Sequence, residues 1–234
     1  MGRIKILGDS FFPNTPLSFL VEDHILIDAG NAIRPLGKEI AKIDTIILTH
    51  AHMDHIMEVP LIVDMVVWSM GKHLTIYGIP HTVETLKKHI FNNSVWPSIP
   101  EELMEIRIIN GPFRVGDTEF IPVEALHTIP TTGFVIDRRV YITGDTAPNR
   151  NLIEAVKTFA PEKLVVDVSW PSDLEKIARI TKHICTTDLE QILQELQDYL
   201  PEVYAYHQKP TFYKTTAEEL KKLPVTIAKP GMEL

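Results

Sequence analysis

Within six residues the chain sets three histidines and an aspartate, His50-Ala51-His52-Met53-Asp54-His55, and the spacing suits cation ligation. On extended backbone, side chains at i and i+2 point to the same side, so His50 and His52 can grip one ion. Asp54 and His55 follow at once, and a turn there aims them at a second. Cations roughly 3.5–4 Å apart are the usual arrangement for displacement at phosphorus or hydrolysis at acyl carbon. Four side chains cannot saturate two ions, so further ligands are needed. His127, Asp145 and His207 are the candidates, each following an apolar run. His127 would complete a three-histidine set with His50 and His52, and His207 would join Asp54 and His55. Asp145 follows Gly144, can approach closely and would bridge the two ions. Imidazoles and carboxylates suit zinc, manganese or iron, with zinc the first expectation.

For these residues to meet, several strands must end along one edge. Strand-like runs occupy 4–7, 18–21, 25–27, 46–49, 74–77, 106–109, 119–123, 133–136, 140–143, 164–168 and 203–206. Helical periodicity follows Asp54 and recurs over 81–91, 151–159, 187–199 and 216–223. Thr187 is the expected N-cap of the fourth helix, with Glu190 completing a capping box. Asp28, His50, Asp145 and His207 each stand at the end of an apolar strand, which is how layered α/β enzymes assemble a site. Asp28 is read as orienting a ligating histidine by accepting its other N–H; an aspartate capping a turn is the alternative. Asp167 ends another strand and could be a further group that orients a ligand.

Composition sets limits. The 234 residues carry a formal charge of −8, with 44% hydrophobic residues and mean hydropathy near zero. That balance fits a folded α/β chain, expected as a single domain over 1–234. It argues against a dedicated nucleic-acid binder, which would need a basic face. A lone cysteine, Cys185, excludes an intramolecular disulfide. The start reads as a first strand without a leader, and the apolar stretch 59–70 is too short to span a bilayer. No membrane partner is expected, the cytoplasm is the simplest address, and the composition allows a homodimer.

Residues 50–55 fit the His-x-His-x-Asp-His signature of the metallo-β-lactamase superfamily. Leu26-Ile27-Asp28-Ala29-Gly30, His127, Gly144-Asp145 and His207 fall in its other motif positions, in order. The resemblance covers nearly the whole chain. It implies an αββα sandwich of two mixed sheets with helices outside. Within the superfamily the chain most resembles the class II cyclic-nucleotide phosphodiesterases. The similarity runs through Leu7-Gly8, Ser18-Phe19-Leu20-Val21, Ile76-Tyr77-Gly78, His127-Thr128, His183-Ile184-Cys185-Thr186 and His207-Gln208-Lys209-Pro210. It places His183 near a scissile phosphate, to hydrogen-bond it or protonate the leaving oxygen. Two departures bear on the substrate mouth: Asp9-Ser10-Phe11-Phe12-Pro13 replaces a glycine-rich stretch, and Glu58 stands where glycine is usual.

The expected chemistry is attack by a metal-bridging hydroxide on a small phosphodiester, a 3′,5′-cyclic nucleotide above all, with Asp54 and His183 in the catalytic set. The net positive charge of two cations with two aspartates favours such an anionic substrate. Thioester or lactone hydrolysis uses the same nucleophile. RNA processing is disfavoured by the acidic balance. A nucleotide-binding sensor that keeps the fold is the reading from outside enzymology, and the seven filled ligand positions argue against it. Lys209 could favour a phosphate. Phe11, Phe12, Trp68, Trp96 and Trp170 are the aromatics from which a base-stacking surface could be drawn.

Overall fold

The computed structural model describes residues 3–8 and 16–234. The departure over 9–13, with Phe11 and Phe12, lies outside the described residues. The rest divides into two compact units, each with its own sheet and apolar core. One comprises residues 3–8, 16–110 and Pro230–Glu233, the other Gly111–Lys229 with Leu234.

In the first unit, β1 (Ile4–Gly8), β2 (Ser18–Val21), β3 (Ile25–Ile27), β4 (Thr45–Ile47), β5 (Leu74–Gly78) and β6 (Met104–Ile108) lie side by side in that order. β1 to β3 are antiparallel and β3 to β6 parallel. The switch follows the length of the links, since parallel neighbours need a crossover and antiparallel ones only a turn. The crossovers carry α1 (Ile33–Leu36), α2 (Met53–Ile56), α3 (Val59–Val63) and α4 (Pro80–Thr85). Pro60 and Pro80 sit in the first turns of α3 and α4, where a missing N–H costs nothing. Leu26, Ile46 and Ile76 pack with Val59, Ile62, Val63 and Val66 as the buried core. The outer edge of β1 is covered by the chain's return: the Ile6 N–H donates to Met232 O at 2.9 Å, and the Gly231 N–H to Ile6 O at 2.8 Å.

The second unit repeats the plan. β7 (Phe113–Val115), β8 (Thr118–Ala125), β9 (Thr131–Ile136) and β10 (Val140–Ile142) are antiparallel; β10 then runs parallel with β11 (Lys163–Asp167), β12 (Glu202–Tyr206) and β13 (Val225–Ile227). Its helices are α5 (Arg150–Phe159), α6 (Glu175–Thr181), α7 (Thr186–Glu195) and α8 (Tyr213–Leu220). Leu152 and Val156 of α5 pack on Leu164 and Val166, with Leu189 and Leu220 completing the core. Two mixed sheets with helices are the expected fold class.

α7 starts earlier than its sequence suggests. Cys185, not Thr187, is the N-cap, because the Asp188 carboxylate accepts the Cys185 N–H at 3.0 Å. An ionised acceptor held by the Arg179 fork, at 2.6 and 3.0 Å, outcompetes a hydroxyl two residues later. Strands β7 and β13 and helix α6 were not expected from the sequence. No described helix is long and apolar enough to cross a membrane.

Candidate metal centre

In the first unit the polar groups stand at the carboxyl ends of the parallel neighbours β3 and β4. Asp28 leaves β3 with a φ of 57°, a left-handed turn that aspartate adopts more readily than most residues. Its buried carboxylate then lies beside Thr49. The Thr49 N–H donates to Oδ1 and the Thr49 hydroxyl to Oδ2, both at 2.8 Å. His55 Nδ1 donates to the same Oδ2 at 2.7 Å. With its proton committed to Asp28, the Thr49 oxygen accepts from His50 Nδ1, 3.0 Å away. One carboxylate thus fixes both imidazoles with Nδ1 protonated and the lone pair on Nε2, the form that binds a cation. Burial pushes the Asp28 carboxyl's pKa up, while His55 and Thr49 favour its anion.

A glycine makes this docking possible. A Cβ on Gly30 would lie 1.9 Å from the Asp54 carbonyl oxygen and 2.6 Å from Pro16 Cβ. The bare backbone lets the chain after Asp28 pass against α2, where the Ala29 N–H donates to His55 O at 2.7 Å and the Glu58 N–H to Ala29 O at 2.8 Å. His52 caps α2 with extended backbone, and its ring centroid lies 4.6 Å from that of His50. Asp54 Oδ2 lies 3.9 Å from His55 Nε2, its side chain 44% exposed. Glu58, expected to shape a substrate mouth, has a carboxylate turned to the fold: Oε2 accepts from the Ala32 and Ile33 N–H groups at the start of α1.

The second unit builds the same device from scattered residues. Asp167 ends β11 and His207 follows β12, again parallel neighbours, and His207 turns away with a φ of 70°. Ser169 donates its proton to Asp167 Oδ1 at 2.8 Å, so its oxygen accepts from His207 Nδ1 at 2.7 Å. His183 Nδ1 donates to Asp167 Oδ2 at 2.6 Å, and the Thr146 N–H donates to the same oxygen at 3.0 Å. His127 Nδ1 donates to the Lys182 carbonyl at 3.1 Å, and Lys182 Nζ returns a bond to His127 O at 3.0 Å. Asp145 follows Gly144, whose φ of 66° and 2.9 Å approach to Thr132 O exclude a side chain. Asp145 Oδ2 lies 3.3 Å from His207 Nε2 and 4.0 Å from His127 Nε2.

These contacts test whether cations fit. The Nε2 atoms of His127 and His207 both face the Asp145 carboxylate, while their Nδ1 atoms are engaged by the Lys182 carbonyl and the Ser169 hydroxyl. Burial lowers the pKa of His127, against the opposing pull of Asp145, and so favours its neutral form. Imidazole nitrogens and a carboxylate that converge in this way form a donor set suited to a divalent cation. Asp54 and His55 present the same relation in the first unit. The donor set therefore fits divalent ions in both units. In the second, Asp145, Asp167, His183 and His207 can each offer an atom within 4.8 Å of the others, but the oxygens of Asp167 are engaged by Ser169, Thr146 and His183. It acts as the orienting group.

His183 differs in character. Burial alone would lower its pKa, but the Asp167 charge and hydrogen bond outweigh this and raise it. The protonated imidazole is thereby favoured, as an acid requires. Asp167 takes the orienting position that its place at a strand end allowed, whereas Ser169 was missed in the sequence; its signal lies in the pairing of β11 with β12. Lys209 Nζ lies 3.4 Å from His207 Nδ1. Trp170 is structural, its Nε1 donating to Thr181 Oγ1 at 3.0 Å while its ring packs on Phe212. Trp96 packs against the first core and Trp68 is exposed.

The family described as Beta-lactamase superfamily domain matches residues 23–207. The chain is similar to the 3′,5′-cyclic-nucleotide phosphodiesterase of Schizosaccharomyces pombe, 38% identical over 58 residues that make up 25% of this chain and 16% of that protein. It is also similar to the Ribonuclease Z of Thermococcus kodakarensis, 33% identical over 126 residues, 49% of this chain and 38% of that protein. The chain therefore spans well under two thirds of either relative's length. The crystal structure of unliganded yeast PDE1 matches all of this chain and 99% of its own, with a TM-score of 0.84 at 19% identity, a likeness of fold. Since the family match takes in both sets of oriented histidines and most of the chain's length, this protein belongs to the beta-lactamase superfamily, with its metallo-β-lactamase fold.

Proposed function

We propose that this chain is a metal-dependent phosphodiesterase whose substrate is a 3′,5′-cyclic nucleotide or a related small phosphodiester, in the cytoplasm. The observation that carries this is the repeated relay, in which a buried aspartate holds imidazoles with Nε2 ready for a cation. His50, His52, Asp54, His55, His127, Asp145 and His207 would hold two divalent ions, zinc first. When bound, such ions lower the pKa of water and offset the negative charge that builds on phosphorus.

The chain's own residues do the rest. Asp28 through Thr49, and Asp167 through Ser169, keep ligating rings from rotating or changing tautomer. Asp54 is exposed enough to meet substrate as well as to ligate. His183, held protonated by Asp167, hydrogen-bonds the phosphate and delivers a proton to the departing ribose oxygen, giving a 5′-monophosphate. The names of the yeast relatives support this substrate class. The Ribonuclease Z stretch favours an RNA phosphodiester as a second reading, which the charge of −8 opposes.

Elemental analysis of pure protein, run beside turnover of cyclic AMP, cyclic GMP, bis-p-nitrophenyl phosphate, a precursor tRNA, a thioester and a lactone, tests the proposal. About two metals per chain with cyclic-nucleotide turnover are expected. A chain that cannot take up two ions when they are supplied sinks the mechanism. Turnover of only the thioester or lactone removes the phosphodiester assignment.

A further inference from the structure

We propose that β6 is a dimerisation edge, on which a second copy of this chain adds its own β6 antiparallel across a two-fold axis at Ile106. β6 ends its sheet and pairs only with β5 among the described residues. The other end of the sheet, β1, is covered by the chain's own residues 231–233. An uncovered edge presents unpaired N–H and C=O groups; proteins commonly blunt it with charged side chains, which β6 carries as the mutually paired Glu105 and Arg107, or by cover, proline or bulge. Of the last three β6 has none: Met104-Glu105-Ile106-Arg107-Ile108 is regular, with Ile108 50% exposed.

The direction of each backbone group follows from the existing ladder. Leu103 O accepts from Leu74, and the Ile109 N–H donates to Gly78 O, so odd-numbered residues of this segment face β5. Ile106 and Ile108 therefore point their N–H and C=O groups outwards, as Met104 does its carbonyl; the Met104 N–H already donates to Pro100 O at 3.1 Å. In an antiparallel pair centred on Ile106, the two Ile106 residues exchange both bonds. Each Ile108 N–H then donates to the other copy's Met104 carbonyl. This is the hydrogen-bonded register that outward-facing residues require.

The same register makes the side chains self-complementary. Glu105 falls opposite Arg107 of the second copy, and Arg107 opposite its Glu105. Within the chain these two already pair at 2.7 Å, with Arg107 held by Tyr77 Oη at 2.9 Å, so the charges are displayed in fixed positions. Met104, Ile106 and Ile108 share the opposite face, where Met104 and Ile106 pack on the chain's own core and Ile108 is left exposed beside the second copy. A different occupant would have no reason to satisfy both the charge order and the bond direction, whereas a two-fold partner satisfies them by symmetry.

Sedimentation velocity of the full chain and of two variants decides the matter. Wild type is expected to be dimeric at micromolar concentration. Arg107→Glu alone sets Glu opposite Glu, Glu105→Arg alone sets Arg opposite Arg, and each should weaken self-association about tenfold or more. Mixed in equal amounts, the two variants are complementary again and should form a heterodimer, which also proves that both fold. Slow, concentration-dependent amide exchange at Ile106 and Ile108 should accompany dimerisation. A monomeric wild type, variants that dimerise as well as wild type, or a mixture that stays monomeric overturns the proposal.

Discussion

Asp28 and Asp167 are two versions of one device. Each stands after a strand, each is buried, and each binds one imidazole through a hydroxyl and another directly. The difference is in what the second imidazole does. His55 sits beside Asp54, an exposed carboxylate, and is proposed as a ligand. His183 has a raised pKa and is proposed as the acid. The same carboxylate–imidazole contact can therefore prepare a lone pair or a proton.

The comparison breaks first at His183. His183→Ala is expected to lower phosphodiester turnover by about 10²–10⁴-fold with metal content unchanged, read by steady-state kinetics beside elemental analysis; a loss of metal would make it a ligand like His55. Next come the two aspartates. Asp28→Asn holds two ligating rings less well and should weaken metal affinity by roughly 10–100-fold. Asp167→Asn should weaken it less, since only His207 depends on it, while costing more in turnover than its metal loss explains. Competitive titration with a chelator separates the two, and equal losses of affinity would erase the distinction.

The hydroxyls should matter less. Thr49→Val and Ser169→Ala each remove one relay, and about 1 kcal/mol of stability, read by denaturant unfolding, is expected from each. Smallest of all is Cys185. Burial pushes its thiol up to about 11; the backbone N–H groups of Asp188 and Thr187 oppose the rise, and the Asp188 carboxylate adds to it. The native protein should leave a thiol reagent unreacted near neutral pH, where an ordinary exposed cysteine reacts readily.

Much of this could be read from residue order. The first unit's three histidines fall within six residues, so spacing alone suggested ligation, and Asp28 stood out at the end of an apolar strand. The second unit's proposed ligands, Asp145 and His207, stood out as residues at strand ends. Ser169 did not, because a serine after a strand says nothing until β12 lies beside β11 and brings His207 to it. Strands β7 and β13, three residues each, are too short to show alternation. The capping of α7 was misplaced by two residues because its strongest acceptor, Asp188, is set by Arg179 from the preceding helix. Local pattern carried the elements; pairing between elements carried the orientation of their side chains.

The return of residues 231–233 to β1 has a consequence for synthesis. Lys5 and Glu233 meet across the length of the chain, so the first unit's sheet edge cannot be closed until the second unit has been made. At about 5–20 residues per second, that wait lasts on the order of ten seconds or longer. During it a nascent chain carries an open, apolar strand edge at each end of the same sheet. Slow translation or crowded polysomes should therefore penalise this fold more than its finished stability suggests, and holdase chaperones acting early should raise its yield.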